Sequence, residues 1–171
     1  IAADALATSY HLSFGTEIII SRPFNTFGPR QSNRAVIPTI ISQLIATNNT
    51  VKLGNTEAIR DFVFVKDTCR SLCELASCDK AVGEVVNIGT VVGISIREVS
   101  KRLCELMGIE KTFSVEKQRL RPPQSEVDRL VCDSSKLLEH TGYSPESNLD
   151  DGLSATIEWH LKNSHDVSRL K

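Results

Sequence analysis

The sequence contains no long hydrophobic run and no excess of charge of either sign. Its longest aliphatic stretch, Ile18 to Ile20, is far shorter than the roughly 18 residues that a membrane-spanning helix needs. With 20 lysines and arginines against 21 aspartates and glutamates, the chain has no overall field that would attract nucleic acid or an anionic membrane. We therefore expect a soluble protein without a nucleic-acid or membrane partner, in which any anion site is local.

Cysteines at zinc-ligand spacing are also missing. The five cysteines form no Cys-x-x-Cys pair and have no histidine at ligand spacing, so no metal site is expected. Their odd number and the lack of a secretory hydrophobic segment favour reduced thiols and a cytoplasmic location.

What the 171 residues do contain is an alternation of short apolar strands with amphipathic helices. Strands are expected in TEIIIS, TVKLG, RDFVFV, GEVVNIG and TFSVEKQ, and helices in residues 1–14, 36–47, 67–77, 94–107, 134–138 and 149–161. Strands that alternate with helices predict a parallel sheet covered by helices, which makes α/β the expected fold class. Residues 1–163 should form a single α/β unit, and residues 164–171 a frayed tail.

The segment SRPFNTFGPRQSNR, from Ser21 to Arg34, follows the first predicted strand and is rich in arginine and asparagine. In a parallel sheet, ligands bind at the carboxyl ends of the strands. This loop also leads to the helix that starts near Val36, and the N-terminus of a helix favours a phosphate. Asn25 and Arg30 are therefore candidate anion ligands, although solvated loop side chains would give the same pattern.

Further candidates for a diphosphate groove follow along the chain. Lys52 ends one predicted strand, Arg60 opens the next, and Arg119 and Arg121 lie in a second basic loop. Each also has an alternative role. Arg60 could pair with the neighbouring Asp61, Arg119 and Arg121 could be solvated, and Asn87, a further candidate for the substrate, could satisfy a turn at a strand end.

Five segments resemble, in the same order, the C-terminal half of the extended short-chain dehydrogenase/reductases that act on sugar nucleotides. They are RPFNTFGPRQ, IRDFVFVKD, GEVVNIG, RLRPPQSEVDRL and CDSSKLLEHTGYSPESNLDDGL. The likeness as a whole extends over nearly the entire chain. This family contains NAD-dependent epimerases, decarboxylases and 4,6-dehydratases. SNRAVIPTI and RLRPPQSEV are most similar to 4,6-dehydratases of UDP-N-acetylhexosamines. The resemblance implies the C-terminal part of a Rossmann-type parallel sheet together with the small substrate-binding subdomain.

The resemblance also implies roles for individual residues. Pro23 and Phe24 would border the nicotinamide end of NAD, and Asn25 would contact the sugar or the diphosphate. On the nucleotide, Arg60 would hold the phosphates or the ribose, Lys52 and Leu53 would line the base pocket, and Arg121, or Arg119 in its place, would reach the diphosphate. The helix over residues 1–14 would pack against a second copy in a homodimer.

The chain departs from the family in one respect: it has neither a G-x-x-G-x-x-G loop for the NAD pyrophosphate nor a Tyr-x-x-x-Lys pair. We therefore expect these motifs upstream of Ile1, and no catalytic residue in this chain. The chain would then be a fragment, inactive alone, that supplies the substrate-binding half of a UDP-sugar 4,6-dehydratase, with NAD held mainly by the other half.

Several alternatives stay open. A sugar-nucleotide 4-epimerase or a decarboxylase of the same family would carry the same segments. The chain could also be a non-catalytic binding or assembly fragment, or an α/β domain with incidental arginines. The last alternative predicts no affinity for nucleotides.

Overall fold

The computed structural model describes residues 1–46, 48–120 and 122–163, so the predicted frayed tail lies outside the described residues. Its helices are α1 (Ala2–Phe14), α2 (Val36–Ile45), α3 (Val65–Ala76), α4 (Ile96–Met107), α5 (Ser135–Thr141) and α6 (Leu149–Asn163). Its strands are β1 (Ile20–Pro23), β2 (Asn25–Phe27), β3 (Thr50–Leu53), β4 (Ile59–Arg60), β5 (Phe62–Phe64), β6 (Val85–Ile88), β7 (Ile94–Ser95), β8 (Thr112–Val115) and β9 (Arg129–Leu130). No helix in these ranges combines the length and the apolar character needed to cross a bilayer.

The chain folds into two compact units, each assembled from three separate segments. The first unit contains Ile1–Thr26, Asp61–Val92 and Val131–Glu146. The second contains Phe27–Arg60, Gly93–Leu130 and the described residues from Ser147 onward. Strands and helices alternate along the chain and the strand pairs are largely parallel, which confirms the predicted α/β class. That residues 1–163 act as a single unit stays a prediction.

The first unit is built around the parallel pair β1 and β6, in which Ile20 lies opposite Val85 and Pro23 opposite Ile88. Helices α3 and α5 pack beside this pair. The core consists of Leu75, Ala81, Val86, Ile88, Leu137 and Tyr143, all at most 5% exposed. The strand expected in TEIIIS begins only at Ile20, opposite Val85 of its partner strand, and Ile20 is half-buried. The residue two positions before it still pairs locally, because the N–H of Gly83 donates to the Ile18 carbonyl at 2.8 Å.

The second unit contains the parallel pair β3 and β8, and a three-stranded sheet in the order β7, β4, β9. Strand β4 is antiparallel to β7 and parallel to β9. Helix α2 packs on β3, α4 and α6 through its buried face, which includes Ile37, Ile40, Ile41 and Leu44. Helix α4 begins with a capping box between Ser95 and Glu98 and ends at Gly108, as its sequence predicts.

Two local predictions were wrong. RDFVFV forms two strands in different sheets, β4 and β5, because Asp61 between them is fully buried and its carboxylate accepts hydrogen bonds from the backbone N–H groups of Thr90 and Val91. The helix expected over residues 67–77 begins two residues earlier, at Val65, after the extended residue Phe64, so Asp67 is not its N-cap. Asp67 lies instead in the first turn, where its carboxylate accepts a hydrogen bond from the Tyr143 hydroxyl at 2.9 Å.

Candidate functional site

Four predicted binding residues of the first unit lie together, where β1 and β6 both reach their carboxyl ends. Pro23 is the last residue of β1 and faces Ile88, the last residue of β6. Phe24 follows, and its N–H donates to the Ile88 carbonyl at 2.9 Å. Asn87 lies one residue before the end of β6, and Asn25 starts the next strand. The structure therefore gathers Pro23, Phe24, Asn25 and Asn87 at one edge of a parallel pair, where such sheets bind ligands.

The buried residue Asp61 holds this edge together. The backbone N–H and the side-chain Nδ2 of Asn25 both donate to the Asp61 carbonyl, each at 3.2 Å. The Asp61 carboxylate is 0% exposed and accepts from Thr90 N and Oγ1 at 2.9 and 2.6 Å, from Val91 N at 2.9 Å and from Cys132 N at 3.1 Å. These four donors replace the water that a carboxylate otherwise requires.

The turn after β6 is packed tightly against Asp61. A Cβ added at Gly89 would lie 2.3 Å from the Cβ of Cys132 and 2.9 Å from Oδ2 of Asp61, so no larger residue fits there. Val91 adopts φ 65°, a conformation that β-branched residues rarely take, while its N–H donates to the same carboxylate. Burial raises the pKa of the Cys132 thiol to about 12, so this thiol is neutral and not a nucleophile at neutral pH.

Asn87 has a structural partner as well. Its Nδ2 donates to the carbonyl of Asp133 at 3.3 Å, in the segment that leads into α5. This contact supports the alternative role considered for Asn87, although one of its amide hydrogens and its side-chain oxygen are left for other contacts.

In the second unit, the predicted residues Lys52, Leu53 and Arg119 lie where β3 and β8 end. Lys52 Nζ is 3.5 Å from Oε1 of Glu116, and Arg119 Nε donates to Oε2 of the same carboxylate at 2.6 Å. Leu53 is 4% exposed. The segments that follow β3 and β8 approach closely, as the space at Gly54 shows: a Cβ added there would lie 2.6 Å from the Arg119 carbonyl oxygen. The structure therefore brings two predicted cations to one point.

Arg60 does not pair with Asp61, which corrects the alternative considered for it. Its Nη1 donates to the carbonyl of Ile59 at 2.8 Å, and its Nη2 donates to Oε1 of Glu126 at 3.3 Å. The side chains of Arg60 and Glu126 are only 13% and 18% exposed. The guanidinium is thus held in a fixed orientation, with donors left over for a ligand.

The remaining predicted residues are not brought into these groups. Arg30 is exposed at φ 68° and has no ion-pair or hydrogen-bond partner among the described residues. Arg121 lies outside the described residues. Arg22, a further arginine of the same loop, donates to Asp4 of α1 at 2.6 Å, and this bond holds the pKa of the Asp4 carboxyl below its usual value.

Sequence patterns missed three acidic residues of these groups: Asp61, Glu116 and Glu126. The sequence indicates Asp61 only as a possible partner of Arg60, Glu116 as part of a strand and Glu126 as part of a basic loop. Their contacts with Thr90, Lys52 and Arg60 come from distant positions in the chain. Across residues 1–46, 48–120 and 122–163, no three His, Cys, Asp or Glu side chains are grouped so that they could hold a metal ion. The strand edge in the first unit can offer hydrogen bonds to a ligand, and the cations in the second unit can offer positive charge to an anion.

Comparison with known proteins identifies a matching family and several related proteins. The model of a family described as GDP-mannose 4,6 dehydratase matches residues 1–156. A dTDP-glucose 4,6-dehydratase from Streptomyces griseus is 30% identical over 162 residues, which cover 95% of this chain and 48% of that protein. The chain spans about half the length of the curated relatives it matches.

Two solved structures share the fold over nearly the whole chain. The dTDP-glucose 4,6-dehydratase DesIV from Streptomyces venezuelae, with NAD bound, is 26% identical with a TM-score of 0.87, covering 99% of this chain and 51% of that one. A UDP-glucuronic acid 4-epimerase mutant from Bacillus cereus, also with NAD, is 27% identical with a TM-score of 0.83, covering 99% and 51%. These likenesses confirm the expected relationship to sugar-nucleotide dehydratases and epimerases with a Rossmann-type fold.

We predict that Asp61→Asn lowers the free energy of unfolding by about 2–4 kcal/mol, because the amide NH₂ would face N–H groups that now donate to a carboxylate. Asp79→Asn is the matched control, since Asp79 is exposed in the same unit, and should change stability by no more than about 0.5 kcal/mol. Urea unfolding followed by circular dichroism measures both. Equal stability of the two variants would contradict the role assigned to Asp61.

Proposed function

We propose a function from one premise: the chain belongs to the GDP-mannose 4,6-dehydratase family, whose model matches residues 1–156. The chain supplies the substrate-binding side of an NAD-dependent 4,6-dehydratase that acts on a nucleotide sugar. The observation that carries this proposal is the gathering of Pro23, Phe24, Asn25 and Asn87 at the carboxyl ends of two parallel strands.

The proposed substrate contacts follow from the chemistry of each residue. Asn25 is fixed through the Asp61 carbonyl and still has an amide oxygen and one N–H for a sugar hydroxyl. Arg60, Lys52 and Arg119 are cations of the kind that bind phosphates. Leu53, which ends β3, offers apolar surface for a base. UDP is the expected nucleotide from the sequence resemblance, whereas the relatives include enzymes named for dTDP, GDP and UDP sugars.

NAD, when bound, would accept a hydride from C4 of the sugar and return it to C6 after water is lost across C5 and C6. The resemblance assigns Pro23 and Phe24 to the nicotinamide end of this cofactor. The side chain of Phe24 would make the contact, because its backbone N–H already donates to the Ile88 carbonyl. The sequence offers neither the glycine-rich pyrophosphate loop nor a Tyr-x-x-x-Lys pair. We therefore propose that the chain alone does not catalyse the reaction. We also propose a cytoplasmic location, which the five free cysteines favour.

A second candidate, a sugar-nucleotide 4-epimerase, is favoured by one observation: the epimerase from Bacillus cereus shares the fold of this chain. Both reactions begin by moving a hydride from C4 of the sugar to NAD. The described binding residues would serve either reaction, so the outcome is decided by acid and base groups that these residues do not supply.

We also propose that α1 joins two copies of the chain. None of its residues is buried, and Leu6, Tyr10 and Phe14, at 60%, 51% and 74% exposure, repeat every four residues along it. The rings of Tyr10 and Phe14 lie 5.3 Å apart between centroids and extend this apolar stripe. A contiguous exposed apolar surface of this kind is typical of a protein interface.

For nucleotide binding, calorimetric titration of the chain with UDP, dTDP, GDP and UDP-N-acetylglucosamine is the test. We expect at least one nucleotide to bind, and Arg60→Ala to weaken this binding by about tenfold, because a charge-assisted contact to phosphate is lost. Asn25→Ala should weaken the binding of the nucleotide sugar more than the binding of the free nucleotide. Arg97→Ala, which removes an exposed arginine paired with Glu57 in the same unit as Arg60, is the control and should bind as the wild type does. A folded wild type that binds none of the four compounds would contradict the proposal.

For assembly, the double variant Leu6→Lys and Phe14→Lys should shift sedimentation from a dimer to a monomer, because two apolar side chains that the dimer would bury become charged. Leu138→Lys is the control, since Leu138 is 54% exposed on α5 and outside the proposed interface. A wild type that sediments as a monomer at all concentrations would refute the proposed dimer.

A further inference from the structure

The carboxylate of Glu116 joins two of the cations proposed to bind phosphate. Its Oε1 lies 3.5 Å from Lys52 Nζ, and its Oε2 accepts from Arg119 Nε at 2.6 Å. In the described part of the chain, Glu116 is the carboxylate that forms ion pairs with two basic side chains. One negative group therefore occupies the point at which two positive groups meet.

The backbone below these three side chains is fixed by hydrogen bonds. Lys52 N donates to Oε1 of Gln43 at 2.8 Å, and Gln43 Nε2 donates back to the Lys52 carbonyl at 3.1 Å. Glu116 N donates to the Leu53 carbonyl at 2.8 Å, and Arg119 N donates to the Glu116 carbonyl at 2.9 Å. The strand ends are thus held in place whichever anion the side chains contact.

The side chains themselves are free to change partners. Lys52 and Arg119 are 58% and 45% exposed, and Glu116 is 29% exposed. Ion pairs with this much exposure add little to stability, so an anion from solution can replace the carboxylate without unfolding the loop. The hydrogen bond from Arg119 holds the pKa of the Glu116 carboxyl below its usual value, which keeps the group ionised at neutral pH.

A phosphate group offers the same chemistry as this carboxylate, in greater strength. Both present anionic oxygens that accept hydrogen bonds from lysine and arginine, but a diphosphate carries more charge and more oxygens. A diphosphate can therefore outcompete the internal carboxylate, whereas singly charged anions gain no advantage over it.

We propose that Glu116 is an internal competitor for the anion site: its carboxylate lies between Lys52 and Arg119 until the diphosphate of a ligand displaces it. The inference rests on the proposed function, because it takes the diphosphate of a nucleotide sugar as the arriving anion. Glu116 then sets the affinity of the site and restricts it to strongly charged ligands.

The test is the variant Glu116→Gln, which keeps the size of the side chain and removes its charge. Calorimetric titration of the full chain uses inorganic pyrophosphate and UDP as probes. We expect both to bind about three- to tenfold tighter to the variant than to the wild type, because the competing charge is gone. The control Glu57→Gln removes the charge opposite Arg97 in the same unit and should leave both affinities unchanged.

A double-mutant cycle distinguishes direct competition from a general change in charge. In a Lys52→Met background, Glu116→Gln should give less than half of the gain seen in the wild-type background, because one of the two released cations is absent. An equal gain in both backgrounds would show that Glu116 acts only through net charge, and would overturn the inference.

The two probes separate this inference from the proposed function. Tighter pyrophosphate binding by Glu116→Gln, with no UDP binding by either protein, would support the inference and contradict the proposed function. UDP binding that is equal in the wild type and Glu116→Gln would overturn the inference and leave the function intact. Failure of both proteins to bind either probe would overturn both.

Discussion

The buried carboxylate of Asp61 is the interaction on which the first unit of this structure depends. It has no ion-pair partner among the described residues, so its burial is possible only because four donors from Thr90, Val91 and Cys132 surround it. The left-handed conformation of Val91 and the absence of a side chain at Gly89 both follow from this arrangement. The carbonyl of Asp61 then orients Asn25. Asp61, which need not touch the ligand, therefore sets the position of Asn25, which is proposed to bind it.

A second constraint is electrostatic. Most cations of the candidate site already have a carboxylate partner: Arg60 pairs with Glu126, and Lys52 and Arg119 share Glu116. A chain with a net charge of −1 thus carries local positive groups that are balanced when no ligand is present. Any anion must compete with these carboxylates. Such competition favours a ligand with several charges, such as a nucleoside diphosphate, over the simple anions of a cell.

The sequence predicted those features that depend on local pattern. Helix α4 is an example: the spacing of its apolar residues, the capping residue Ser95 before it and Gly108 after it all lie within one short stretch of sequence. The parallel direction of β1 and β6, though not their choice as partners, follows from the alternation of strands and helices, and the family follows from five ordered segments. The edge that collects Pro23, Phe24, Asn25 and Asn87 could likewise be expected, because parallel strands end on the same side of a sheet.

Features that depend on distant contacts could not be predicted in this way. In RDFVFV, four apolar residues follow Asp61 and indicate one strand, and nothing local indicates that Thr90 and Cys132 donate to the Asp61 carboxylate between β4 and β5. Asp67 has the sequence position of a helix cap, yet its carboxylate accepts a hydrogen bond from the hydroxyl of Tyr143, which lies far along the chain. Glu116 lies in the expected strand TFSVEKQ, next to Lys117, and only the pairing of β3 with β8 brings Lys52 to it.

The central claim is that the described residues recognise a nucleotide sugar, and amide chemical shifts of the ¹⁵N-labelled chain test it most directly. The account predicts that UDP shifts the amide signals of Lys52, Leu53 and Arg60, and that UDP-N-acetylglucosamine additionally shifts those of Asn25 and Asn87. Shifts confined to α1 and α5, or no shift at all in a folded chain, would contradict it.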